Sequence, residues 1–277
     1  TTYYKMTGIA NETDFETIFD YVILEEASQS FLGTIACAKA LGRKLLIVGD
    51  HMQLPPVVSQ RNPSIIDKKI NWLIYGLKHF ASKEECLKIR LTGSYRLLPE
   101  AVNQTGVFYE NSLISLSELE TPSIQFKKLN NLFNPKGGTS IYFSDIKHEG
   151  KFTISIASLL IRIIKELQSE KPDLEIAILT AFRKSRNFLQ DNIYSEISYN
   201  ENIVIETIDR IQGLTCDFTF FIIPYDNPSF SFNINRFNVA TSRARYCTLI
   251  LTDSIFESIN PATGLVNEFW NKVMANS

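Results

Sequence analysis

Unbroken apolar runs of strand length recur at 21–24, 45–48, 175–180, 203–207, 218–223 and 246–251, and helical spacings fall between them at about 29–41, 152–168, 183–196 and 235–244. Buried strands alternating with helices pair in parallel, so the pattern predicts an α/β fold of parallel sheets with flanking helices. The stretch from about 57 to 150 interrupts it. That stretch carries helical patches around 64–80 and 97–110 and is otherwise polar, Asn/Pro/Gly-rich at 130–138. The later strands gather beyond a boundary near 88–95, which divides the chain into 1–90 and 91–277.

Open parallel sheets bind ligands at the carboxyl ends of their strands. The run Tyr21–Leu24 ends in Glu25-Glu26 with Gln29 close behind, and 45–48 ends in Gly49-Asp50-His51-Met52-Gln53-Leu54-Pro55-Pro56. Together these read as half of a phosphate-handling site. No G-x-x-x-x-G-K-[ST] occurs among the twelve glycines, so the loop that would wrap the β- and γ-phosphates is expected to lie outside this chain or not to exist. No G-x-G-x-x-G follows a strand either, which excludes a dehydrogenase.

With 277 residues, 44% of them hydrophobic, the chain can bury one large core or two ordinary ones, and two is the expectation. A net charge of −2 gives no global attraction to nucleic acid, so any such binding must come from locally placed Lys and Arg. Cys37, Cys86, Cys216 and Cys247 form no C-x-x-C pair and sit mostly in apolar stretches, as reduced core thiols do. The expectation is an untargeted intracellular protein, cytoplasmic or nucleoid-associated, with no membrane partner. His51 has no partner at ligand spacing and reads as a loop residue.

Further motifs follow in order: LTGSYRLLPE at 91–100, FY at 108–109, AILTAFRKSRNFL at 177–189, IETIDRIQG at 205–213 and FNVATSRAR at 237–245. With EEASQ and GDHMQLPP before them, they resemble the C-terminal motif set of superfamily 1 helicases. The likeness is to the 5′ to 3′ branch that holds the RNA-decay and Okazaki-fragment-processing enzymes. It spans about 20–255 and leaves 57–88 and 111–150 as insertions. It implies that 1–90 is the later part of a first RecA-like domain, that 91–277 is a complete second one, and that an N-terminal helicase portion with the phosphate loop belongs to the same protein.

The resemblance also implies roles. ATP hydrolysis needs Mg²⁺ on the phosphates, a group orienting the attacking water, and positive charge at the γ-phosphate. Glu25 falls at the metal-associated position, where the family usually has Asp, and Glu26 at the water-polarising one. Gln29 joins the nucleotide contacts, and Gln53 resembles the γ-phosphate sensor while Asp50 fixes its loop. Arg96 and Arg243 match the cations that reach across the interdomain cleft to the γ-phosphate, suited to it by a guanidinium fork. Tyr95 resembles the ring near the adenine, with a core tyrosine as the other reading, and Arg245 is expected to turn away toward a carboxylate. Gln212, Gly213 and Thr215 fall on the nucleotide side, Thr215 where the family has Glu. For the nucleic acid track the matching residues are Thr180, Arg183, Lys184 and Thr207, with Arg186 beside them, and a solvated helix face is the plain alternative. Asp209 and Arg210 read as a local turn pair.

The leading expectation is therefore a fragment of an ATP- and Mg²⁺-dependent translocase or helicase on single-stranded nucleic acid, DNA in preference to RNA, inactive alone for want of the phosphate loop. A degenerate, non-hydrolysing binding module of the same fold is the alternative, motivated by Glu25 and Thr215. A metal-dependent nuclease is disfavoured, because adjacent strand residues point to opposite faces.

Overall fold

The computed structural model describes residues 2–57, 76–81, 87–129, 131–146, 154–197, 199–260 and 262–275. They divide into two compact units, Thr1–Arg90 and Leu91–Ser277.

In the first unit, α1 (Tyr3–Glu12) precedes β1 (Phe19–Leu24), and α2 (Leu32–Leu41) runs directly into β2 (Gly42–Ile47). The strands pair in parallel from Phe19 opposite Gly42 to Leu24 opposite Ile47. Two further bonds carry the ladder past their ends: Val48 N–H donates to Leu24 O at 2.8 Å, and Ala27 N–H to Val48 O at 3.0 Å. Met6 and Ala10 of α1, Leu24, and Ile35, Ala38 and Leu41 of α2 make the core on one face. On the other face Tyr21, Ile23 and Leu46 are 68%, 65% and 56% exposed, so the apolar runs here cover one sheet face and not two. The helix expected at 29–41 begins at Leu32, after a 3-10 turn at Ala27–Gln29. Of the patch expected at 64–80, only 76–80 of the short helix Gly76–Ala81 falls among the described residues.

The second unit opens with a short parallel pair, β3 (Gly93–Ser94) and β4 (Ile114–Ser115), around α3 (Pro99–Thr105). Its main sheet takes β5 (Gly138–Ser144), β6 (Ile176–Thr180), β7 (Ile203–Thr207), β8 (Cys216–Ile223) and β9 (Ala244–Asp253). All are parallel, in the order β5-β9-β8-β6-β7. The helices α4 (Ile154–Glu170), α5 (Arg183–Glu196), α6 (Ile234–Thr241) and α7 (Gly264–Met274) flank it. On α4 the buried residues Ile156, Leu160, Ile163, Ile164 and Leu167 recur at helical spacing and form one stripe against the sheet. All eight residues of the inner strand β8 are buried, as a strand covered on both faces requires. The α/β class with parallel sheets and flanking helices is thus the architecture of both units.

Four elements depart from the sequence pattern. β5 lies in the stretch read as polar, α1 and α7 were not expected, and the helix at 235–244 ends at Thr241 because β9 starts at Ala244. As the edge strand, β5 carries a side-chain plug. Buried Gln104 of α3 accepts from Thr139 N–H at 2.6 Å through Oε1 and donates to Thr139 O at 3.2 Å through Nε2. The amide takes the place of a neighbouring strand at an edge that would otherwise be open to another chain. Gln104→Leu leaves both groups of Thr139 buried and unpaired, and unfolding stability is expected to fall by about 2–4 kcal/mol, read as a lower urea midpoint at unchanged slope.

Among the described residues no helix is long and apolar enough to cross a membrane. Cys37, Cys216 and Cys247 are free thiols. Burial pushes the Cys216 thiol up to about 11 and raises that of Cys247 too, as inert core cysteines require.

Candidate functional site

In the first unit the site is the carboxyl edge of β1 and β2. Glu25 and Glu26 are both exposed there, and Tyr3 Oη donates to the Glu25 carbonyl. Glu26 sits in the left-handed region at φ 51°, ψ 38°, where the chain leaves the strand and enters the 3-10 turn Ala27–Gln29. Strand alternation stops at Leu24, so the argument that Glu25 and Glu26 must point to opposite faces does not extend to this turn.

The following loop is brought close by Gly49. A Cβ there would meet Ala27 N at 2.9 Å and Ser28 N at 3.1 Å, so only glycine lets Asp50–Gln53 lie against the turn after Glu26. Asp50 organises that loop: Oδ1 accepts from Met52 N–H at 2.9 Å and Oδ2 from the Gln53 amide at 3.1 Å. The Gln53 side chain is therefore held beside the carboxylate turn. Gln29 is exposed on the same edge.

Among the described residues no group of three or more His, Cys, Asp and Glu side chains gathers as a metal cage. Mg²⁺ on a nucleotide does not require one, since it is held by one or two carboxylates together with phosphate oxygens and water. The exposed hard-oxygen donors Glu25 and Glu26 fit that donor set.

In the second unit two distant stretches, at Arg96 and at Leu214–Cys216, converge on Ser242–Arg243. Arg96 Nη1 donates to Ser242 O at 3.1 Å; Arg243 Nε donates to Val239 O at 3.0 Å and its Nη1 to Leu214 O at 3.4 Å. Cys216 N–H donates to Arg243 O at 3.2 Å and closes the cluster. Arg243 is only 2% exposed, so here its guanidinium is directed at backbone carbonyls. Burial pulls the Arg96 guanidinium below its ordinary value, with the Cys216 sulfur opposing and Arg245 adding to the shift.

Tyr95 is 78% exposed, which removes the core-tyrosine reading. Gly213 has φ +86° in an open turn, a conformation that favours glycine, with Gln212 and Thr215 half-buried on either side. Arg245 does turn to carboxylates: it meets Glu175 at 2.7 Å and Asp217 at 2.9 Å, at the same amino-terminal end of β6, β8 and β9 as the Arg243 cluster. Burial disfavours its charge, but the hydrogen bonds to both carboxylates outweigh this and hold its pKa above the ordinary value.

At the carboxyl edge of this unit Thr180 and Thr207 are paired across β6 and β7. Both are buried; Thr180 Oγ1 accepts from Phe182 N–H at 3.5 Å, and Thr207 Oγ1 donates to Glu206 Oε2 at 3.4 Å. Arg183 and Lys184 are exposed on the first turn of α5, whereas Arg186 is tied to Glu206 at 2.6 Å. Asp209 and Arg210 are not a turn pair. Asp209 meets Arg236 at 3.3 Å, and Arg210 meets Glu206 at 3.7 Å. The sequence reading missed Arg236 because its partner lies 27 positions away, with no spacing rule to link them.

A family model described as an AAA domain matches residues 76–255, and a second of the same description matches 7–61. Helicase sen1 of Schizosaccharomyces pombe is 26% identical over 84% of this chain and 14% of its own length. An uncharacterized ATP-dependent helicase of Methanocaldococcus jannaschii is 24% identical over 92% of this chain and 40% of its own. Regulator of nonsense transcripts 1 of Dictyostelium discoideum is 24% identical over 92% of this chain and 20% of its own. The chain thus spans between 14% and 40% of the length of these relatives. Among solved structures, the Arterivirus nonstructural protein 10 helicase is similar at 15% identity and a TM-score of 0.46, over 95% of this chain and 53% of that one.

Proposed function

The chain belongs to the AAA-domain family of superfamily 1 helicases, in the branch of the RNA-decay and Okazaki-processing enzymes, and from that membership we propose that it is part of an ATP-driven translocase on single-stranded nucleic acid. In this reading 1–90 is the later part of a first RecA-like domain and 91–277 a second, acting within one longer intracellular polypeptide that also supplies the phosphate loop. The observation that carries it is the convergence of the 91–100 and 237–245 motifs, and of Leu214 and Cys216 just past the 205–213 motif, on Ser242–Arg243, which gathers two arginines at one strand entry.

Glu25, with phosphate oxygens and water, would hold Mg²⁺, and the bound ion would supply positive charge to offset that of the phosphates. Glu26 takes a proton from the attacking water, and Gln53 donates its amide to the γ-phosphate after leaving Asp50. Arg96 and Arg243 stabilise the charge that spreads over the γ-phosphoryl oxygens. Gln29, Tyr95, Gln212, Gly213 and Thr215 line the nucleotide. Arg183 and Lys184 take backbone phosphates on DNA rather than RNA, and Thr180 and Thr207 contribute once their hydroxyls are uncovered.

The test compares ATP turnover, with and without DNA or RNA single strands, for the 277-residue chain and for the longer polypeptide. The expected result is strand-stimulated turnover by the longer polypeptide and feeble turnover by the chain; robust hydrolysis by the chain contradicts the reading. Glu25 and Thr215 favour one second reading, a non-hydrolysing platform of the same fold. Glu25→Asp in the longer polypeptide separates the two, since absence of turnover with either residue supports the platform.

A further inference from the structure

We infer that Phe182, Phe230 and Arg236 form a stacking column that takes a base of the bound strand, an inference that rests on the nucleic-acid reading above. The rings of Phe182 and Phe230 lie 5.4 Å apart at an interplanar angle of 33°. The Arg236 guanidinium carbon sits 3.8 Å from the centroid of Phe230, and Asp209 holds that guanidinium at 3.3 Å. Three flat groups are thereby fixed in sequence before any ligand arrives, which reduces the ordering cost of adding a fourth.

Burial sets Phe230 apart from its neighbours. Phe232 is 8% exposed and Phe237 fully buried, each packed among other rings, while Phe230 remains 37% exposed. Core packing alone gives no reason to keep a phenylalanine half in water against a pinned guanidinium. Guanidinium planes and phenyl rings are the surfaces on which unpaired bases stack.

Position supplies the second argument. Phe182 follows Thr180 by two residues and Asp209 follows Thr207 by two, and those threonines are opposite one another at the carboxyl edge of the sheet. The column therefore stands beside the exposed Arg183 and Lys184, the candidate phosphate contacts. Backbone and base of one strand have adjacent places to bind.

The test uses the full 277-residue chain and two labelled oligomers of equal length, an oligothymidylate and its abasic deoxyribose-phosphate counterpart, with anisotropy read at one fixed salt concentration. The wild-type chain is expected to bind the thymidylate roughly ten-fold more tightly than the abasic strand. Phe230→Leu keeps apolar volume without a π face. It is expected to weaken thymidylate binding alone and equalise the two affinities, whereas Phe230→Trp keeps the preference and gains emission quenched by thymidylate only. Equal wild-type affinities, or a preference that survives in Phe230→Leu, overturns the stacking column and leaves the phosphate reading intact. Binding of neither oligomer removes the nucleic-acid reading and this inference together.

Discussion

Arg243→Lys in the longer polypeptide lowers single-strand-stimulated ATP turnover by about 10³-fold or more, the scale on which a supplied arginine acts in phosphoryl transfer. Lysine keeps the charge but loses the planar fork that grips two oxygens at once. The guanidinium rests on Val239 O and Leu214 O, with Arg96 on the adjacent Ser242 O, so it must release carbonyls to meet a phosphate. That exchange matches its role: a group engaged on the backbone at rest and on the nucleotide when turnover is triggered. The checks are kcat, single-strand affinity and the thermal midpoint, measured where the variant is fully folded. Loss of kcat with strand affinity retained supports the finger. A purely structural pin would lower the midpoint and leave kcat near wild type.

Glu26→Gln is expected to cut the same turnover by about 10²- to 10⁴-fold, because the amide cannot accept the proton of the attacking water. Shape and backbone are preserved, and Glu26 is exposed, so stability should stay within about 0.5 kcal/mol. A companion variant exposes the reason this residue is tolerated where it is. At φ 51° a glutamate holds a backbone that glycine adopts freely, so Glu26→Gly is expected to stabilise the fold by about 1 kcal/mol while losing turnover as fully as Gln does. Turnover that survives both substitutions would assign the water-polarising role to another group.

Parts of this arrangement were legible in the sequence because local chemistry decides them. The runs at 21–24 and 203–207 became β1 and β7, and Asp50 caps its own loop as short acidic side chains do in turns. β5 was not legible. Its GTSIYFS opens on small and polar residues directly after Asn134-Pro135-Lys136-Gly137, and its pairing with β9 joins residues more than a hundred positions apart. Shorter but still non-local separations, 27 and 35 positions, hid the salt bridge from Asp209 to Arg236 and the Gln104 plug on Thr139. Motif order marked Arg96 and Arg243 as candidates, but only tertiary packing reveals that both are engaged on main-chain carbonyls. Likewise, pattern alone could not say that Thr180 and Thr207 would be buried at the edge where their hydroxyls were expected to meet phosphates.

The most direct measurement is a structure of the longer polypeptide bound to a single strand, Mg²⁺ and ADP–aluminium fluoride, which imitates the γ-phosphoryl group in flight. The account predicts the Glu26 carboxylate on the attacking-water side of the fluoride and the Arg96 and Arg243 guanidinium groups within hydrogen-bond reach of it. Arg243 still donating to Val239 O and Leu214 O, with the fluoride contacted by other cations, would contradict it.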